Sequence, residues 1–114
     1  MDEQRKEDPR LEVIDEETLA KYEADHGRVA VVKTALGVAV FRKPKPGEWD
    51  RFQDMALNDD KRKHAGKQLV LSCLLAPSVD EWRVWTTDYV ALSSECFTSV
   101  KKLATGEVLE LGKE

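Results

Sequence analysis

The densest apolar patterning in the chain runs from Lys67 to Ala104, and the rest of the sequence must pack against it or hang from it. Leu69, Val70, Cys73 and Leu74 fall at i, i+1, i+4 and i+5, one side of a helix, while Leu71 and Leu75 cover the other. A helix apolar nearly all round belongs in an interior, so the pattern predicts a central helix over residues 59–76. The competing reading, a buried strand around Leu69–Leu75, is disfavoured by about 17 residues without a break.

Pro77 stops that helix. Ser78, Val79, Asp80 and Glu81 then form a capping-box sequence, in which the Ser hydroxyl accepts from the Glu81 backbone and the Glu carboxylate reaches back. The next helix is expected over residues 79–87, with a narrow apolar stripe of Val79, Trp82 and Trp85. Tyr89, Leu92, Cys96, Val100, Leu103 and Ala104 continue with helical spacing, which predicts a closing helix over 88–104 that stops at Gly106.

A chain of 114 residues makes one domain able to bury a core without staples. Cys73 and Cys96 both lie on apolar helix faces, as expected of reduced thiols acting as small hydrophobes. No apolar run approaches the ~20 residues of a membrane span, and the polar N-terminus does not resemble a secretory leader, so a soluble, cytoplasmic chain is expected. The net charge of −4 hides an asymmetry: residues 1–27 hold four Lys/Arg against ten Asp/Glu, whereas residues 28–114 hold fourteen against twelve. A nearly neutral body argues against a dedicated nucleic-acid binder, which must neutralise several phosphates.

In chain order, residues 1–14 are too polar to bury much surface and are expected to be mobile. Asp15 caps a weakly amphipathic helix over 15–26 with Leu19 and Tyr22 as its apolar positions and Gly27 as its end. Residues 28–43 read as a β-hairpin whose strands, Arg28–Thr34 and Val38–Lys43, are joined by Ala35, Leu36 and Gly37. A two-stranded ribbon is marginal alone, so one face must pack on helices or an edge must pair with another chain. Pro46 suits the first turn of a helix over 46–57 whose buried side carries Trp49, Phe52, Met55 and Ala56. Asn58, Asp59 and Asp60 break the chain and are placed to cap the central helix. The fold class is therefore α+β, predominantly helical: an N-terminal helix, one β-hairpin, then about four packed helices, with residues 107–114 as a tail.

Chemistry is sparse. His26 and His64 have no Cys, Asp or Glu at metal-ligand spacing, there is no glycine-rich phosphate loop, and no nucleophile motif occurs. No enzyme activity, cofactor or metal is expected. Asp59/Asp60 and Glu16/Glu17 are paired carboxylates explained by helix starts. Lys61, Arg62, Lys63 and His64 form a basic turn that reads as a solvated face, with an anionic partner patch as the other reading. Trp82 and Trp85 can serve the core or an interface, where tryptophan is favoured.

The run Phe41–Phe52, with Arg42-Lys43-Pro44 leading into Trp49 and Phe52, followed by Ser72–Trp82, resembles small phage tail-assembly chaperones. In that group a strand ends in an Arg-Arg-Pro-like turn, and a later helix ends at Cys before a Pro-Ser/Asp-x-x-Glu-Phe/Trp cap. The likeness covers residues 28–105; Gly47 departs from a strong helix start, and the acidic N-terminal helix has no clear counterpart. It implies a non-enzymatic protein that keeps a tape-measure client soluble and brings tail tube protein to it, in a family where a frameshift commonly appends a second domain. Trp49, Trp82, Trp85 and Phe97, together with the hairpin residues Val38 and Val40, are the expected partner-binding positions, and self-association through the hairpin is expected. A structural adaptor or tail-completion component of a phage-derived particle is the alternative. An adaptor whose acidic helix docks on a basic partner is a third reading.

Overall fold

A computed structural model describes residues 15–106. Helix α1 (Glu16–His26) starts at Asp15, whose Oδ1 accepts from Thr18 N at 2.7 Å, and ends at Gly27, whose φ of 80° favours glycine. Leu19, Tyr22 and His26 form its half-buried stripe, and no residue of α1 is fully buried.

Strands β1 (Val29–Thr34) and β2 (Gly37–Arg42) pair antiparallel without a slip from Val29↔Arg42 to Thr34↔Gly37. The connection has two residues, Ala35 and Leu36; Gly37, expected in the turn, opens β2 instead. Thr34 Oγ1 accepts from Leu36 N and Gly37 N, both at 3.1 Å, and donates to Gly37 O at 2.8 Å, which closes the turn without an Asn-Gly pair.

Helix α2 (Pro46–Leu57) begins where Lys45 N–H donates to Glu48 Oε1 at 2.8 Å. Its expected inner side is half-buried at Trp49, Phe52, Met55 and Ala56. Helix α3 (Arg62–Cys73) is shorter at both ends than the expected 59–76 helix. At its start Asn58 Oδ1 accepts from Asp60 N and Asn58 O accepts from Lys61 N and Arg62 N, so Asn58 closes a turn that holds the two acids, and Lys61, instead of the expected Asn58–Asp60 cap, takes the N-cap position without a side-chain cap.

At its end the chain leaves the helix at Leu74, and Leu74–Ala76 forms β3, which pairs antiparallel with β2 through Val40↔Ala76 and Phe41↔Leu74. Leu69–Cys73 is helical as expected, and a three-residue strand takes up the end of the stretch expected to be helix. Pro77 disfavours helical geometry at Ala76, and β2 offers a free row of hydrogen-bonding groups, so tertiary pairing overrides local propensity. The sheet order is β1-β2-β3, which leaves β1 on an edge.

Helix α4 (Val79–Asp88) is capped by Ser78 Oγ, which accepts from Glu81 N at 3.2 Å. Helix α5 (Leu92–Thr105) ends at Gly106, φ 77°. It starts four residues after the expected position, because Tyr89 N bonds to Trp85 O, Leu92 N bonds to Tyr89 O, and Tyr89–Ala91 become a loop.

The core gathers Ala30, Ala39 and Phe41 from the sheet, Leu69, Val70 and Cys73 from α3, Trp82 and Trp85 from α4, and Cys96, Val100 and Leu103 from α5. The architecture is α+β and predominantly helical, with α3 packed between α2 and α5. No described helix is long and apolar enough to cross a membrane.

Candidate protein-binding surface

The six sequence-selected positions divide by burial. Trp82 is 3% exposed, Trp85 9% and Val40 0%, so these three are corrected from partner-binding candidates to interior residues. Trp82 meets Phe41 edge-on, with centroids 5.6 Å apart at 79°, and lies 6.2 Å from Trp85. Such contacts add about 0.5–1.5 kcal/mol each beyond area burial, and that apolar packing is what removes the indoles from the surface. Val40 lies on the central strand β2, paired with Val31 on one side and Ala76 on the other, and is fully buried.

Trp49, Phe97 and Val38 remain half-buried. Trp49 stacks at 5.0 Å on Phe52, which lies 5.3 Å from Phe97, so one aromatic row links α2 to α5. The row is part of the packing between helices, with its rims accessible.

A different surface pairs exposed apolar side chains with a hollow. Tyr89 is 49% and Val90 80% exposed on the α4–α5 loop. Together with Ala91 and Leu92 they face Val32 and Ala35 at the β1–β2 turn across a hollow of about 590 Å³, rimmed by Lys33, Asp88 and Glu95. Sequence reasoning sets a helix boundary at 87/88 but takes Tyr89–Ala91 as the first turn of the closing helix, because Tyr89 and Leu92 keep helical spacing with Cys96. Val90 was the available signal: it falls off the stripe beside Asp88 and has no place on the buried side.

Arg42 holds three elements together. Its Nη1 and Nη2 donate to Glu48 Oε1 and Oε2 at 2.9 and 2.8 Å, Nη2 also donates to Ser72 O at 2.6 Å, and Nη1 donates to Lys43 O at 3.0 Å. The Arg42 hydrogen bonds hold the Glu48 carboxyl down at about 2, against an ordinary value of 4.5. This constellation welds β2 to α2 and to the last turn of α3. Its donors are directed at protein oxygens, so the role is structural.

Both cysteines are free and buried. Desolvation pushes Cys73 up to about 11 and Cys96 up to about 12, so each is a protonated thiol at neutral pH and a poor nucleophile or ligand. Among the described residues no three His, Cys, Asp or Glu side chains are grouped to hold a metal ion. No family model, curated protein or solved structure matches the chain.

Proposed function

We propose that the protein is a non-enzymatic tail-assembly chaperone that holds an apolar helical segment of a tape-measure-type client. The observation that carries the reading is Val90, 80% exposed beside a half-exposed Tyr89, over an apolar hollow between a hairpin turn and a helix–helix loop. Isolated apolar residues on a surface are ordinary; a tyrosine and a valine paired over a concave apolar wall favour a partner.

The rim suits a helix. Asp88 and Glu95 flank the hollow with Lys33 across it, so the apolar side of an amphipathic helix can enter while its polar side meets charge, as in other helix-in-groove contacts. The client and its link to tail tube protein are supplied by the resemblance over residues 28–105, whose Arg-Lys-Pro turn coincides with the Arg42–Glu48 weld. Binding through one shallow hollow is weak at each contact and gains from repeated client segments. Edge strand β1 offers a second route, pairing with a strand of another copy.

The test is co-expression with the largest helical protein encoded beside this one. The client stays soluble with the wild-type chain and aggregates with Val90→Asp, although the variant itself folds. Equal client solubility with and without the wild-type chain overturns the reading.

A further inference from the structure

A second hollow, of about 140 Å³, lies between α3 and the start of α5, lined by Lys63, Gly66, Lys67, Ser93, Ser94 and Phe97. Three independent features converge on it. The first is the α5 N-terminus. Leu92 N bonds to Tyr89 O and Glu95 N to Ala91 O, while the N–H groups of Ser93 and Ser94 have no acceptor among the described residues, and Ala91 has no side chain able to cap them.

The second is the Ser93 side chain. Ser93 is 7% exposed and is the buried polar residue of the described chain, yet its hydroxyl has no hydrogen-bond partner there. Among the described residues no side-chain polar atom is sealed without a partner, so this hydroxyl keeps some accessibility, and Ser93 lines the hollow. An unpaired hydroxyl on a residue so largely buried, at the wall of a cavity, is a donor available to a ligand.

The third is charge. Lys63 and Lys67, one turn apart on α3, both line the hollow, and no carboxylate does. Glu95 lines the larger hollow described above. Two lysines and two serines whose amide N–H groups lack acceptors among the described residues therefore line one space at a helix N-terminus, and together they can supply a donor set.

We propose that this hollow binds a phosphate-type oxyanion, with the Ser93 and Ser94 amides and hydroxyls donating to its oxygens and Lys63 and Lys67 neutralising its charge. The ring of Phe97 forms an apolar wall beside the site, suited to the carbon next to a phosphate ester. The site makes no use of Tyr89 or Val90 and stands apart from the client surface.

The experiment is a titration of the full chain with inorganic phosphate, followed by amide chemical shifts, with sodium chloride at matched ionic strength as control. Saturable shifts confined to Gly66, Ser93 and Ser94 are expected with phosphate and absent with chloride. Lys63→Gln with Lys67→Gln weakens binding by about tenfold or more. Ser94→Asp places a carboxylate among the same donors; it abolishes binding while keeping the melting temperature at or above that of the wild type, because an acid in a first helical turn is stabilising. A parallel titration with phenyl phosphate separates the sources: tighter binding with added shifts at Phe97 identifies a phosphate monoester, and equal binding identifies the free ion. Shifts that chloride reproduces, or an affinity unchanged in both variants, overturn the proposal.

Discussion

Glu48 shows how one side chain can join distant parts of a chain. Its carboxylate is bidentate to Arg42 and accepts from Lys45 N–H, so it caps α2 and anchors β2 at once. Hydrogen bonds to charged groups contribute about 1.5–3 kcal/mol, and Glu48→Gln should cost about 1–3 kcal/mol in denaturant unfolding. The pH dependence has a definite sign. The folded chain keeps Glu48 ionised down to about 2 while the unfolded chain protonates it near 4.5. Its contribution is therefore complete above that ordinary value and is lost as pH falls through the folded one. Wild-type stability should fall across this interval more steeply than that of Glu48→Gln; parallel profiles would contradict it. The cysteines give a second prediction: Cys73 and Cys96, both buried and protonated, should react with a thiol reagent only at the rate of unfolding. Fast labelling of the native chain would contradict their burial.

At the level of elements, local chemistry was legible and tertiary pairing was not. Asp15, Gly27, Pro46, Ser78 and Gly106 mark helix ends through interactions with their immediate neighbours, and each end lies where those residues place it. Ser78→Ala should accordingly cost about 1 kcal/mol through loss of the bond to Glu81 N, measured as a shift in denaturation midpoint at unchanged slope. Strand β3 was hidden because Leu74, Leu75 and Ala76 have no β-branched member and continue an apolar helical pattern; its partner, β2, lies far away in sequence. The Tyr89–Ala91 loop was hidden for the opposite reason, since helical spacing persists across it. The exposed part of the candidate surface lies on that missed loop. The tryptophans were legible as important, but composition alone does not separate a core indole from an interfacial one.

For the molecule as a whole, the packed core and the proposed client surface use different residues. The core runs from the sheet through α3, α4 and α5, and Trp82, against Phe41 and Trp85, lies within it. Trp82→Ala should cost about 3–5 kcal/mol, enough to unfold a marginally stable domain, and would be read as a large loss in melting temperature. Val90, by contrast, is 80% exposed, and Val90→Asp should change stability by no more than about 0.5 kcal/mol. The most direct measurement of the central claim is amide chemical-shift mapping of the full chain with a peptide from an apolar helical segment of the client. The account predicts shifts at Val32–Ala35, Asp88–Leu92 and Glu95 that Val90→Asp removes while the rest of its spectrum stays native. Shifts located elsewhere, or unchanged by that substitution, would contradict it.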